Sequence, residues 1–258
     1  MTTGLAALVV AILLLPAAAA AAEADPDRPD LSASARTVSR GAVQLESGGL
    51  YQRTSRAGAR AERRLAVEAS VRVGVLDWLE LRLDGEPFVR LRGEEQETGH
   101  GDAAVAAKVG LWQPPPGSRR PALALLPFVK LPLADEPIGT ERPDGGVTAI
   151  ATFALPADFG LDVNARLAAV SQRRPGGVLL QAFTSASLSR ALGPVSVFGE
   201  FFFSTRDERD AGDEAGVHAG LVYVLAPSVA VDASLLTSVV GRAPDYAVRA
   251  GLTVRFGR

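Results

Sequence analysis

From residue 43 onward the chain repeats one pattern, an apolar side chain at every second position, over segments of about ten residues. In YAVRAGLTVRF, residues 246 to 256, Tyr246, Val248, Ala250, Leu252, Val254 and Phe256 fall on one side and Arg249, Gly251, Thr253 and Arg255 on the other. Successive side chains of a β-strand point to opposite faces, so this is a strand with one apolar and one polar face. RLAVEASVRV sets Leu65, Val67, Ala69, Val71 and Val73 against Arg64, Ala66, Glu68, Ser70 and Arg72, and then Leu79, Leu81 and Leu83 alternate with Glu80, Arg82 and Asp84. An earlier strand places Val43, Leu45, Ser47, Gly49 and Tyr51 opposite Gln44, Glu46 and Gly48. Further segments near 101–112, 121–132, 145–155, 159–171, 178–190, 194–205, 215–225 and 229–239 bring the expected total to about twelve strands, each long enough to cross a membrane when tilted. No stretch of the mature chain carries a helical period, and the expected fold class is all-β.

Two architectures use such strands. In a sandwich the apolar faces meet each other, whereas in an outer-membrane barrel they meet lipid and the ionic side chains line the lumen. The connections favour a transmembrane antiparallel up-and-down β-barrel. VLDW, PAD, ALG and APS are tight, while the alternate links TSRAGARA, RGEEQETG, PLADEPIGTERP, QRRPG, RDERDAGDE and GRAPD are longer and polar; QPPPGSRR at 113–120 breaks the rule. Short periplasmic turns alternating with long extracellular loops is the barrel pattern. Tyr51 and Tyr246 stand at long-loop ends, and Phe159, Tyr223 and Phe256 at short-turn ends, as in the aromatic girdles at headgroup depth. Trp78 and Trp112 share the polar parity and are expected at the rim. Leu, Val, Ala and Gly dominate the apolar face, which suits lipid better than an interdigitated core.

GLAALVVAILLL at 4–15, followed by PAAAAAAEAD, resembles a secretory signal peptide cleaved between Ala20 and Ala24, although MTTG lacks the usual Lys or Arg. The run falls short of the roughly 20 apolar residues of a membrane helix, so the mature chain enters a membrane as strands. The expected division is a signal peptide at 1–24, a polar periplasmic lead at 25–40 and a barrel at 41–258, in the bacterial outer membrane. A net charge of −2 offers no basic field to nucleic acid. The absence of cysteine removes disulfides, thiolate metal sites and a cysteine nucleophile.

Parity assigns to the lumen Arg64, Glu68, Arg72, Glu80, Arg82, Asp84, Asp102, Lys108, Lys130, Asp162, Arg166, Phe198, Glu200, Phe202, His218, Asp232, Arg249 and Arg255. Acids and bases on this face balance, so they are expected to pair across a narrow lumen and offset their desolvation. A wide ion-selective pore would show a surplus of one sign. Phe198 and Phe202 flank Glu200 as a candidate wall for an aromatic solute, while Phe201 and Phe203 face lipid.

Asp27, Arg28, Pro29 and Asp30 precede a strand opening with Gly41, Val43, Gln44 and Glu46; Gly101 and Asp102 begin a segment reaching Lys108; Pro127, Lys130 and Pro132 follow. In these motifs, and in their order and spacing over essentially the whole mature chain, the sequence resembles the family of outer-membrane transporters named after the meta-pathway of phenol degradation. The resemblance implies an outer-membrane β-barrel and aromatic compounds as solutes.

The expected function is passive uptake of small hydrophobic or aromatic solutes, with no catalytic residue, metal or cofactor. The alternatives are a structural or adhesive barrel with a closed lumen, and an outer-membrane enzyme. No Ser-His-acid constellation is evident, and His100 and His218 leave a metal short of ligands. Expected partners are outer-membrane lipid and lipopolysaccharide, the barrel-assembly machinery during biogenesis, and a small hydrophobic or aromatic solute, with no nucleic acid.

Overall fold

The computed structural model describes residues 24 to 257 except 56, 57, 59, 116, 173–175, 210, 242 and 243. The expected signal peptide, apart from Ala24, lies outside the described residues. The strands are β1 (Val43–Thr54), β2 (Glu62–Leu76), β3 (Leu79–Arg92), β4 (Gln96–Gly99), β5 (Ala103–Trp112), β6 (Ala122–Leu131), β7 (Asp144–Leu155), β8 (Phe159–Ser171), β9 (Val178–Leu192), β10 (Val195–Ser204), β11 (Glu214–Ala226), β12 (Val229–Val240) and β13 (Tyr246–Phe256). All pairings are antiparallel between neighbours, and β1 also pairs with β13, from Val43↔Phe256 to Arg53↔Tyr246, which closes the sheet. Closure pairs each of the twelve long strands on both sides, as a sheet in lipid requires.

Twelve of these strands form the wall. The extra one, β4, lies within RGEEQETG, which the alternation leaves as a loop; it folds back on the end of β3, from Val89↔Gly99 to Arg92↔Gln96, while β5 pairs with the first half of β3. Leu81, Leu83, Val105, Val129, Leu167, Leu180 and Leu235 are all exposed on the outside. A contiguous band of this kind is a liability in water and a requirement in lipid. One aromatic departs from simple alternation. A register shift between Gly110 and Trp112 sets Trp112 opposite Leu123 on the outward face, because one extra residue reverses the facing of all that follow it.

Residues 25 to 40, expected as a periplasmic lead, run instead inside the barrel. The chain enters at the short-turn end, where Ala24 N donates to Pro227 O at 2.6 Å. It reaches inward as far as Leu31, which packs against the cluster containing Leu50 and Phe202. It then returns to the same end, where Thr37 Oγ1 donates to Asp77 O at 2.9 Å and Gly41 N to Gly74 O at 2.8 Å. The wall is shaped for this passage. A Cβ on Gly48 or on Gly251, which face each other across β1 and β13, would collide with the Arg28 guanidinium, and one on Gly74 with the carbonyls of Val38 and Ser39.

Candidate functional site

The lead has no sheet partner, so its backbone N–H groups need acceptors from the wall. Glu46 accepts from Asp27 N at 3.3 Å and Arg28 N at 3.1 Å, Thr152 Oγ1 from Ala35 N at 2.8 Å, and Glu80 from Val38 N at 2.8 Å. Asn164 both accepts from Ala33 N and donates to Ala33 O, each at 2.9 Å. Glu200 takes the innermost turn, accepting from Leu31 N at 2.9 Å, Ser32 N at 2.7 Å and Ser32 Oγ at 2.6 Å, and lies 2.9 Å from His218 Nδ1.

Charge reinforces this hold. Asp27 lies 2.6 Å from Arg82 Nη1, 2.8 Å from Lys108 Nζ and 3.4 Å from Arg72 Nη2. Arg72 bonds in turn to Glu46 and Glu80, each at 2.7 Å, and all three side chains are buried. Burial works to raise the pKa of Asp27, but the charges of Arg72, Lys108 and Arg82 outweigh it and hold the carboxyl well below the usual carboxylate range. Such buried ions are tolerated only where partners and hydrogen bonds replace the lost hydration. Among the described residues no cation forms an ion pair with Asp30. Burial pushes its pKa up to about 8 against the hydrogen bond from Ser187 Oγ, and Glu200, Asp162 and Asp27 push it further in the same direction.

The lumen charges therefore pair differently from the expectation of salt bridges across a narrow bore. Most wall partners sit on or beside neighbouring strands, Arg64 with Glu86 and Lys130 with Asp144 at 2.5 Å and Asp102 at 3.6 Å, while Arg249 of β13 reaches past β1 to Glu68 of β2 at 3.5 Å. Arg82 and Asp84, 3.4 Å apart, share a strand, and Asp162 accepts from Thr152 Oγ1. The span across the bore is made by the lead, whose Arg28 reaches Glu68 of β2 at 2.9 Å and Asp232 of β12 at 3.5 Å. Arg255 lies buried near the periplasmic end of β13.

Toward the long-loop end the lumen changes character. Leu50, Ala66, Val89, Leu91, Phe202, Leu236 and Ala247 form a buried apolar cluster, joined from below by Leu31 of the lead and by Phe183 and Ile138. Ile138 belongs to the loop between β6 and β7, so the cluster is closed on that side as well. Phe202 stacks on Phe183 with ring centroids 6.3 Å apart, and Phe198 meets the His218 ring edge-on at 5.2 Å. The Arg166 guanidinium lies over Phe183 at 4.7 Å and Phe128 at 5.9 Å. Beside this cluster a cavity of about 580 Å³ is lined by Arg28, Asp30 and Leu31 of the lead and by Arg82, Lys130 and Arg166 of the wall.

Of the side chains assigned to the lumen by parity, Glu68, Arg72, Glu80, Arg82, Lys108, Glu200 and Asp232 bond or pair directly with the lead. Alternation alone misses the lead itself, with Asp27, Arg28 and Ser32, and the wall groups Asn164 and Thr152 that hold its backbone. It also misses the apolar half. The usable signal was apolar residues on the polar parity near long-loop ends, Leu50, Ala66, Leu236 and Ala247, and glycines on that parity where the lead passes.

Comparison with known proteins agrees with this architecture. The model of the family described as "Putative MetA-pathway of phenol degradation" matches residues 26–256. The COG4313 outer membrane channel from Pseudomonas putida F1 superposes with a TM-score of 0.73 at 11% identity, covering 91% of this chain and 100% of that one. The NanC porin gives a TM-score of 0.57 at 10% identity over 81% of this chain and 98% of its own. The translocator domain of the autotransporter NalP from Neisseria meningitidis gives 0.51 at 10% identity, over 83% and 88%. Among curated proteins no match is found. The fold is that of a bacterial outer-membrane barrel.

Proposed function

Because the chain belongs to the family described by the MetA-pathway of phenol degradation, we propose that it is an outer-membrane channel for passive uptake of small hydrophobic or aromatic solutes. The observation that carries this reading is the apolar cluster in the outer half of the lumen, ending on Leu31 of the lead. A lumen for sugars or ions has polar groups at its entrance. Here the outer half presents Ile138, Leu91, Phe202 and Phe183 to an incoming solute, and Arg166, stacked over Phe183, lines the cavity beside them. Release to the periplasm requires the lead to give way. The COG4313 relative is an outer membrane channel by its own description, which supports the transport class. Insertion by the barrel-assembly machinery and contact with lipopolysaccharide follow from the same placement.

A closed structural barrel is the second reading, favoured by the number of wall groups that hold the lead. Liposome flux separates the two. Reconstituted protein is expected to admit phenol or toluene faster than empty liposomes while excluding glucose, and removal of residues 25–39 is expected to admit both. Equal phenol entry with and without protein, together with glucose entry after the deletion, supports the closed barrel.

A further inference from the structure

The outer face carries one strongly cationic patch, and it lies at a single height on three adjacent strands. Arg53 of β1 stands directly opposite Arg63 of β2, and Arg63 directly opposite Arg92 of β3. Arg90, opposite Leu65, lies one pleat lower. All four take the outward parity, alternating on β3 with Val89 and Leu91, which point into the lumen cluster. Neighbouring strands are about 4.8 Å apart, so the three opposed arginines cover a row roughly 10 Å wide.

Like charges directly opposite each other on a sheet are destabilising. Among the described residues no ion pair reaches Arg53, Arg63, Arg90 or Arg92, and Arg53 Nε is buried without a hydrogen-bond partner. Asp245 feels the charge of Arg53 but is already bonded to Ser55 Oγ. At the same height β6, β9, β10 and β12 show Leu131, Val178 with Leu180, Phe203 and Val239 on the outside, so these strands carry an apolar surface where β1, β2 and β3 carry charge. Height fixes what the patch meets. Tyr51 and Tyr246, with rings 6.1 Å apart, lie beside it at the long-loop end, where girdle aromatics mark headgroup depth in the outer leaflet.

We propose that Arg53, Arg63 and Arg92, with Arg90 beneath them, form a binding site for the phosphate groups of lipopolysaccharide, the phosphorylated glycolipid facing the cell exterior. Arginine forks match phosphate oxygens in geometry as well as charge, and an anion between opposed arginines turns their repulsion into attraction. The site rests on the placement of the barrel in the outer membrane and is independent of what crosses the lumen.

Native mass spectrometry of the full mature chain in detergent, with diphosphorylated lipid A as probe, tests the site. The wild type is expected to retain the lipid, and the triple variant Arg53→Gln, Arg63→Gln, Arg92→Gln to bind it at least about tenfold more weakly, the loss expected from even one charge-assisted hydrogen bond. Arg63→Gln alone should fall between them, which keeps the test open if the triple variant fails to fold. Arg190→Gln, an outward arginine near the opposite rim over Phe159, should leave retention unchanged. Dephosphorylated lipid A should bind weakly to every variant. Equal retention by wild type and Arg63→Gln, or displacement of lipid A by an equal concentration of inorganic phosphate, overturns the proposal.

Discussion

The two halves of the lumen are built on opposite rules although the same strands supply both. Toward the periplasm, Arg72, Glu46, Glu80 and Lys108 are buried ions whose positions are fixed by bonds to each other and to Asp27 of the lead. Toward the exterior, Leu50, Leu91, Phe202 and Leu236 fill space without directional bonds. A buried ion tolerates almost no displacement, because the loss of one partner leaves the other uncompensated, whereas an apolar cluster accepts another apolar body of similar volume. The charged half is thus suited to hold a segment of the chain in one place, and the apolar half to admit a guest. Leu31 is where they meet.

If this contrast is right, the largest effect should come from the charged half. Arg72→Leu removes the common partner of Asp27, Glu46 and Glu80 and should cost about 3–5 kcal/mol, read as a lower midpoint of heat- or urea-induced change in gel mobility. Glu200→Ala leaves the N–H groups of Leu31 and Ser32 without their acceptor. It should weaken docking of the lead by about 1–3 kcal/mol, seen as faster proteolysis between residues 25 and 40 with the barrel intact. Leu236→Met, a change of similar volume in the apolar half, should cost under about 1.5 kcal/mol; a loss as large as that of Arg72→Leu would erase the distinction. A separate effect concerns pH. From the ordinary carboxyl value of 3.8 up to about 8, docked Asp30 keeps a proton that the released lead gives up. Docking should therefore weaken as pH rises through that window and level off above it, and Asp30→Asn should abolish the slope in the proteolysis rate.

The wall was legible because its signal is local. Alternation in RLAVEASVRV fixes which side of β2 meets lipid, and it fails only where an extra residue interrupts it, as before Trp112. The lead was not legible, because a segment without period or regular partner announces its place only through the groups that receive it, and those are scattered over strands far apart in sequence. Glu200 illustrates the difficulty. As an acid on the polar parity it reads as half of a salt bridge, yet its lone pairs go to Leu31, Ser32 and His218. The expected balance of charge on the lumen face was real, but much of it compensates the lead rather than the opposite wall.

Ser32 Oγ of the lead lies 2.7 Å from Ser185 Oγ of β9, and the chain contains no cysteine, so Ser32→Cys with Ser185→Cys offers a reversible lock on the lead. Phenol flux into liposomes carrying this variant should fall to the level of empty liposomes when the pair is oxidised and return on reduction. Undiminished flux through the oxidised protein would mean that solute does not pass by way of the lead, and the division of the lumen into a holding half and an admitting half would be wrong.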